Sequence, residues 1–133
     1  MAILIDTNIF VALSNNRDVN HQRAETLIER SSGGEFGKAY TSDYIFDETV
    51  TTAFVRTKNR KKSIELGESI LDSEVDMLPV DRQAFEIAWE LFKKYGFSFT
   101  DCSSLAIMKL YGIKKLMTFD REFKRIGWVD VVE

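Results

Sequence analysis

A chain of 133 residues with 44% hydrophobic and 29% charged side chains suits one globular domain with a sizeable core. Its net charge of −3, from 18 basic and 21 acidic residues, argues against non-specific coating of duplex nucleic acid, which requires strong positive charge. One cysteine and one histidine exclude an internal disulfide, a zinc site built on several thiolates and a paired-histidine metal centre.

No basic and apolar leader is present, and no apolar run approaches the length of a membrane span, so a cytoplasmic protein with no membrane contact is expected. Ala2-Ile3-Leu4-Ile5 is a short continuous apolar run that reads as a buried strand, and it stops abruptly at Asp6-Thr7-Asn8. In a parallel α/β sheet, ligands bind at the carboxyl ends of the central strands. Thr7 to Leu13 reads as a short helix, followed by the polar loop Ser14 to Asp18. Asn20 can cap the next helix, with His21 at its start and Ala24, Leu27 and Ile28 as a narrow apolar stripe. Ser31-Ser32-Gly33-Gly34 stops it.

Lys38 to Thr41 reads as a second strand, and Ser42 caps a helix running to about Lys58 with Phe46, Val50, Ala53 and Phe54 on one face. The basic segment Arg56, Lys58, Arg60, Lys61 and Lys62 follows. A helix over Ile64 to Asp72 contains Gly67, at some cost unless a neighbour packs closely there. Val75 to Val80 reads as a strand, and Pro79 assigns it to a sheet edge because proline cannot donate to the ladder. Arg82 to Tyr95 is an amphipathic helix whose Phe85, Ala88, Trp89 and Phe92 are assigned to the core, with Gly96 as its stop. Tyr44, Phe10, Phe46 and Phe54 are open to use on a partner-binding surface. Ser98 to Tyr111 is the next helix, holding Cys102 as a small buried thiol. Leu116 to Phe119 is a strand, Arg121 to Arg125 a helical turn, and Val129 to Val132 a last edge strand. Strands alternating with helices and right-handed crossovers predict α/β architecture over residues 1–133: a three-layer α/β/α sandwich with a mostly parallel five-stranded sheet.

The informative acids sit at strand ends and helix starts. Asp6 follows the first strand and Asp120 the fourth; Thr118 and Asp120 are two apart and share a side while the strand persists. Asp101 ends Ser98-Phe99-Thr100-Asp101, a capping box with a shorter acid, where a plain helix-dipole role is the alternative. Glu48 lies about two turns into its helix, and Asp47 is rotated from it by roughly 100°, so one of the pair faces the rim. Asp43 and Asp47 otherwise read as helix-start charges. Two carboxylates ~4 Å apart repel by ~4 kcal/mol at an effective dielectric of ~20. Four on one rim therefore hold protons or take up a cation. Oxygen ligands alone suit Mg²⁺ or Mn²⁺, and such metals on an open rim hydrolyse phosphodiesters.

The ordered set Ile3-Leu4-Ile5-Asp6-Thr7-Asn8, Glu48 after Tyr40-Thr41-Ser42, Phe97-Ser98-Phe99-Thr100-Asp101-Cys102 and Leu116-Met117-Thr118-Phe119-Asp120-Arg121-Glu122-Phe123 resembles the PIN-domain ribonucleases, in particular VapC-type toxins. The resemblance spans essentially the whole chain. It implies strand order 3-2-1-4-5, and Asp6, Glu48, Asp101 and Asp120 as catalytic metal ligands for Mg²⁺ or Mn²⁺. It also implies Thr7, Asn8 and Thr118 as polar supports, an RNA substrate cut endonucleolytically, a small cognate antitoxin as partner, and a homodimer. Arg56, Lys58, Arg60 and Lys61 are candidate RNA contacts, or else an ordinary solvated helix end. Two other readings compete: a catalytically silent PIN-like module that binds RNA or protein, and a phosphatase or phospho-receiver domain. The latter wants a second acid close after the first strand, or a phosphoacceptor acid with a lysine partner.

Overall fold

The computed structural model describes residues Met1–Glu133. In chain order its elements are β1 (Ala2–Ile5), α1 (Thr7–Ser14), α2 (His21–Ser32), β2 (Lys38–Ser42), α3 (Asp43–Thr57) and α4 (Arg60–Leu71). Then come β3 (Asp76–Leu78), α5 (Arg82–Lys94), α6 (Phe99–Tyr111), β4 (Lys115–Met117), a 3₁₀ turn (Arg121–Arg125) and β5 (Asp130–Val132). The sheet order is β3-β2-β1-β4-β5, as the resemblance implied. All four pairings are parallel, so the sheet is wholly rather than mostly parallel.

The apolar run of β1 makes it the centre. Leu4 pairs with Tyr40 on one side and Leu116 on the other. Ile3, Leu4 and Ile5 are 0% exposed, which a strand covered by helices on both faces requires. Helices pack in contiguous pairs, α5 on α6, α3 on α4 and on α1, and α1 on α2. The β1-α1 and β4-3₁₀ junctions thus lie side by side at the carboxyl edge of the sheet.

Several local expectations shift. β3 is shorter than Val75 to Val80, and Pro79 follows the strand instead of lying in it; the edge position of β3 nonetheless holds. α4 begins at Arg60, four residues before the expected Ile64, because the Asn59 side chain accepts the Lys62 N–H at 3.2 Å and caps it. Arg60, Lys61 and Lys62 therefore sit in a first turn, where the helix dipole opposes cations, and not at a helix end that favours them. Gly67 packs closely as anticipated: a Cβ there would lie 3.2 Å from both Phe46 and Val50 of α3. Gly37 is more tightly constrained, with φ +77° and the Met1 carbonyl oxygen 2.2 Å from where its Cβ would be.

The largest correction concerns α5. Phe85, Trp89 and Phe92 are 43%, 48% and 40% exposed, whereas Ala84, Ala88 and Leu91 one step round the helix are buried. The small alanines bring α5 close to α6, so the aromatic positions project to the edge of the contact. There they surround Phe99, with ring centroids 5.2 Å (Phe85), 6.3 Å (Trp89) and 5.9 Å (Phe92) away; Tyr44 stands at 6.3 Å on another side. Phe10 belongs to the core, and Phe46 packs against it.

Candidate active site

Asp6, Asp101 and Asp120 are positioned by the ends of elements, and Glu48 by the body of α3. Asp6 caps α1: its Oδ1 accepts the Thr7 N–H at 2.8 Å. Its Oδ2 accepts the Thr118 hydroxyl at 2.8 Å, and its own N–H donates to the Met117 carbonyl at 3.0 Å. The Thr118 hydroxyl also accepts from Asn8 Nδ2 at 3.0 Å and from the Asp120 N–H at 3.1 Å. Asn8 Oδ1 accepts the Phe119 N–H at 3.0 Å. Thr118 and Asn8 therefore tie the start of α1 to the turn carrying Asp120, although the ladder of β4 ends before either Thr118 or Asp120. Asp120 itself caps the 3₁₀ turn, accepting the Glu122 N–H at 3.0 Å. Asp101 lies in the first turn of α6, its N–H donating to the Ser98 hydroxyl at 3.1 Å, so the capping geometry read from the sequence is present.

Glu48 faces the same cleft from α3, while Asp47 points to solvent and accepts the Thr51 hydroxyl at 3.3 Å. That resolves which of the adjacent acids belongs to the rim. Asp43 has a structural task, accepting the N–H groups of Tyr44 and Val80, both at 2.9 Å. The cleft holds about 470 Å³ and is lined by Asp6, Glu48, Asp101 and Asp120 together with Thr7 and Asn8.

Burial dominates the electrostatics. It pushes the Asp6 carboxyl from 3.8 up to about 7, against the Thr118 hydrogen bond; the charges of Asp101 and Glu48 push the same way, and the Thr7 N–H opposes them. Burial raises Asp101 to about 6, offset by its hydrogen bonds with Ser98 and reinforced by the charges of Asp120 and Glu48. Acids from four different elements thus feel one another across a single space.

The donor set is oxygen only, which fits a hard divalent cation in kind. Thr7 adds a second sign: its buried hydroxyl has no hydrogen-bond partner and it lines the cleft. The side chains nonetheless stand apart, and no three acidic, histidine or cysteine groups are gathered into a ready-made cage. The histidine is elsewhere, at the start of α2 as expected, with Nδ1 2.8 Å from the Ala12 carbonyl and Nε2 3.2 Å from Glu25. Cys102 is fully buried.

The basic candidates separate. Arg56 lines the cleft, whereas Lys58, Arg60 and Lys61 do not, and the Arg60 guanidinium lies 4.6 Å over the Phe54 ring. Asp18 and Thr52 also line the cleft and were not singled out from the sequence; Ser98, read there as a cap, lines it too. Thr52 and Arg56 follow Glu48 at intervals of four, a helical spacing that carries the signal. Asp18 lies in an irregular loop, where no periodicity exists to find it.

Fold and cleft together define a parallel α/β domain with acids gathered at the carboxyl ends of its central strands. The PIN domain family model matches residues 3–129, and the chain belongs to that family. It is 28% identical over 125 residues to a VapC ribonuclease of Archaeoglobus fulgidus, covering 92% of this chain and 80% of that protein. It is 29% identical over 132 residues to the 23S rRNA-specific endonuclease VapC20 of Mycobacterium tuberculosis, covering 97% of each. The crystal structure of VapC20, described as a Sarcin–Ricin loop cleaving toxin, superposes with a TM-score of 0.81 at 27% identity over 96% of each chain. The fold is also that of the VapBC2 complex of Rickettsia felis, with a TM-score of 0.71 at 15% identity over 99% of this chain and 98% of that one.

Proposed function

We propose that the protein is a metal-dependent endoribonuclease, the toxin of a type II toxin–antitoxin pair, which hydrolyses RNA phosphodiester bonds. The observation that carries this is the single cleft lined by Asp6, Glu48, Asp101 and Asp120, with Asp6 raised to about 7 and Asp101 to about 6. Such accumulated negative charge is what a divalent cation relieves. Asp6, Asp101, Asp120 and Glu48 would hold Mg²⁺, or Mn²⁺ in its place. Bound metal supplies Lewis acidity, lowering the pKa of water and neutralising charge on the leaving oxygen.

The chain's own residues arrange the site. Thr118 and the Thr7 N–H fix the two oxygens of Asp6, Ser98 fixes the start of α6 under Asp101, and Asn8 holds the Asp120 turn against α1. With His21 committed to Ala12 and Glu25, any proton leaving the attacking water goes to a carboxylate oxygen or to solvent.

An RNA substrate is supported by the similarity to VapC20 along nearly the whole chain. A small antitoxin partner is the corresponding reading for the relatives' VapBC systems. A homodimer is supported by the partly exposed aromatics Phe85, Trp89 and Phe92, which gather around Phe99 on one face. No helix is long and apolar enough to cross a membrane; we place the activity in the cytoplasm, where RNA is available. The second reading is a catalytically silent PIN-like module, favoured by the lack of a ready-made metal cage.

One experiment separates them. Purified protein is incubated with total RNA in Mg²⁺, in Mn²⁺ or in EDTA, alongside Asp6→Asn. Cleavage by the wild type only, and only with metal, is expected. Equal RNA profiles in every condition would sink the nuclease reading.

A further inference from the structure

Arg56 stands where two hollows meet: it lines the acidic cleft and also a larger groove of about 960 Å³. Glu48, Thr52 and Arg56 all face the cleft from one side of α3, spanning about 12 Å along the helix axis. Arg56 is the only cation lining that cleft. The groove continues beyond it between the end of α1, α3 and α4. Two more cations, Arg17 and Lys62, line the groove against a single acid, Glu65. None of the three cations enters any ion pair of the protein, so none is spent on neutralising a neighbouring carboxylate. The rest of the lining is mixed: uncharged polar side chains such as Asn15, Asn16 and Ser69 alternate with apolar ones such as Leu13 and Ile28, which leaves the three cations as its dominant charge.

We infer that this groove is the track of the RNA strand leaving the cleft. Arg56 holds a phosphate flanking the scissile one, and Arg17 and Lys62 hold phosphates further along. The inference rests on the ribonuclease reading above and names how that site takes its substrate. It also redraws the basic contacts: Lys62 and Arg17 join Arg56, while Lys58, Arg60 and Lys61 fall outside both hollows. The contacts are to backbone, so they set register and affinity and carry no base preference. The continuity of the groove with the acidic cleft through a shared arginine is what favours a nucleic-acid strand over an acidic protein segment.

The test measures binding of a fluorescein-labelled oligouridylate by anisotropy across a potassium chloride series, in an Asp6→Asn background that leaves the RNA intact. Asp120→Asn serves as a second background should the first fail to fold. Arg56→Ala and the pair Arg17→Ala/Lys62→Ala are each expected to flatten the dependence of log affinity on log salt by ~0.7 per cation removed. Lys58→Ala/Arg60→Ala leaves it unchanged. In the otherwise wild-type enzyme, Arg56→Ala raises KM about tenfold with a smaller change in kcat, and Arg56→Lys restores part of the loss. Unchanged slopes and KM would overturn the track and leave the groove to a protein partner. A wild type that cleaves no RNA with any metal refutes the ribonuclease reading instead, so the two failures are told apart.

Discussion

Metal-free protein is expected to lose stability as pH rises through neutrality, the reverse of the usual carboxylate behaviour. Asp6 sits at about 7 when folded against an ordinary value of 3.8. Between those values the folded chain holds a proton that the unfolded chain has released, so stability falls with rising pH. The Asp6 contribution is fully present below about pH 4 and gone above about pH 7. It amounts to about 4 kcal/mol in all, of which about 3 kcal/mol disappears between pH 5 and pH 8. Asp101, raised to about 6, adds a smaller loss of the same sign. Glu35 and Glu133 are lowered by their cationic partners and act oppositely. Glu35 is exposed and Glu133 partly so; their surface ion pairs contribute little, and both titrate below this window. The assay is urea denaturation in EDTA at pH 5, 6, 7 and 8, for wild type and Asp6→Asn. The wild type should lose about 3 kcal/mol across the series, and Asp6→Asn should lose much less. Saturating Mg²⁺ should restore wild-type stability at pH 8 by binding the ionised acids. A wild-type profile that is flat or rises with pH, or an Asp6→Asn profile of the same slope, would refute the reasoning.

Thr118→Val removes the hydroxyl shared by Asp6, Asn8 and Asp120; a loss of ~2 kcal/mol is expected from denaturation midpoints, since buried polar partners are left unpaired. In the same variant the Asp6 carboxyl should titrate higher still in a carbon-detected NMR titration, because the hydrogen bond that lowers it is gone. Gly37→Ala forces a left-handed backbone, costing ~1–3 kcal/mol, and also drives a methyl into the Met1 carbonyl. A drop in thermal midpoint together with weakened amide protection at Lys38 is the expected reading, because the Lys38 N–H donates to Met1. Trp89→Glu places a charge in the exposed aromatic band, and light scattering should show a dimeric wild type becoming monomeric while the circular dichroism stays unchanged. A monomeric wild type would remove the proposed homodimer.

Much of the architecture was legible because it rests on short-range chemistry. The apolar run of β1 ending at Asp6 and the caps at Ser42 and Ser98 are each decided within a few residues. The edge position of β3 was expected from Pro79 and holds, but the strand ends at Leu78, so the proline removes no ladder donor and the outcome stands without that premise. The acids at Asp6, Asp101 and Asp120 were visible for the same short-range reason: each is a cap or first-turn residue at the end of a recognisable element.

What local patterns left open was decided by packing. Asp47 and Glu48 differ by one helical step, and only the contact of α3 with α1 and α6 settles which of them turns toward Asp6. The α5 stripe of Phe85, Trp89 and Phe92 has the period of a buried face. The close approach allowed by Ala84 and Ala88 turned the core one step round and left the aromatics at the surface. The basic residues were visible as a run, yet which of them share a hollow depends on where α1 and α4 stand against α3. The sequence by itself determined the elements, their order and the acids at their ends, because backbone caps and hydrophobic periods act over a few residues. Only the tertiary structure decided which side chains face one another across the cleft, because rotation about a helix axis is set by the neighbours it packs against.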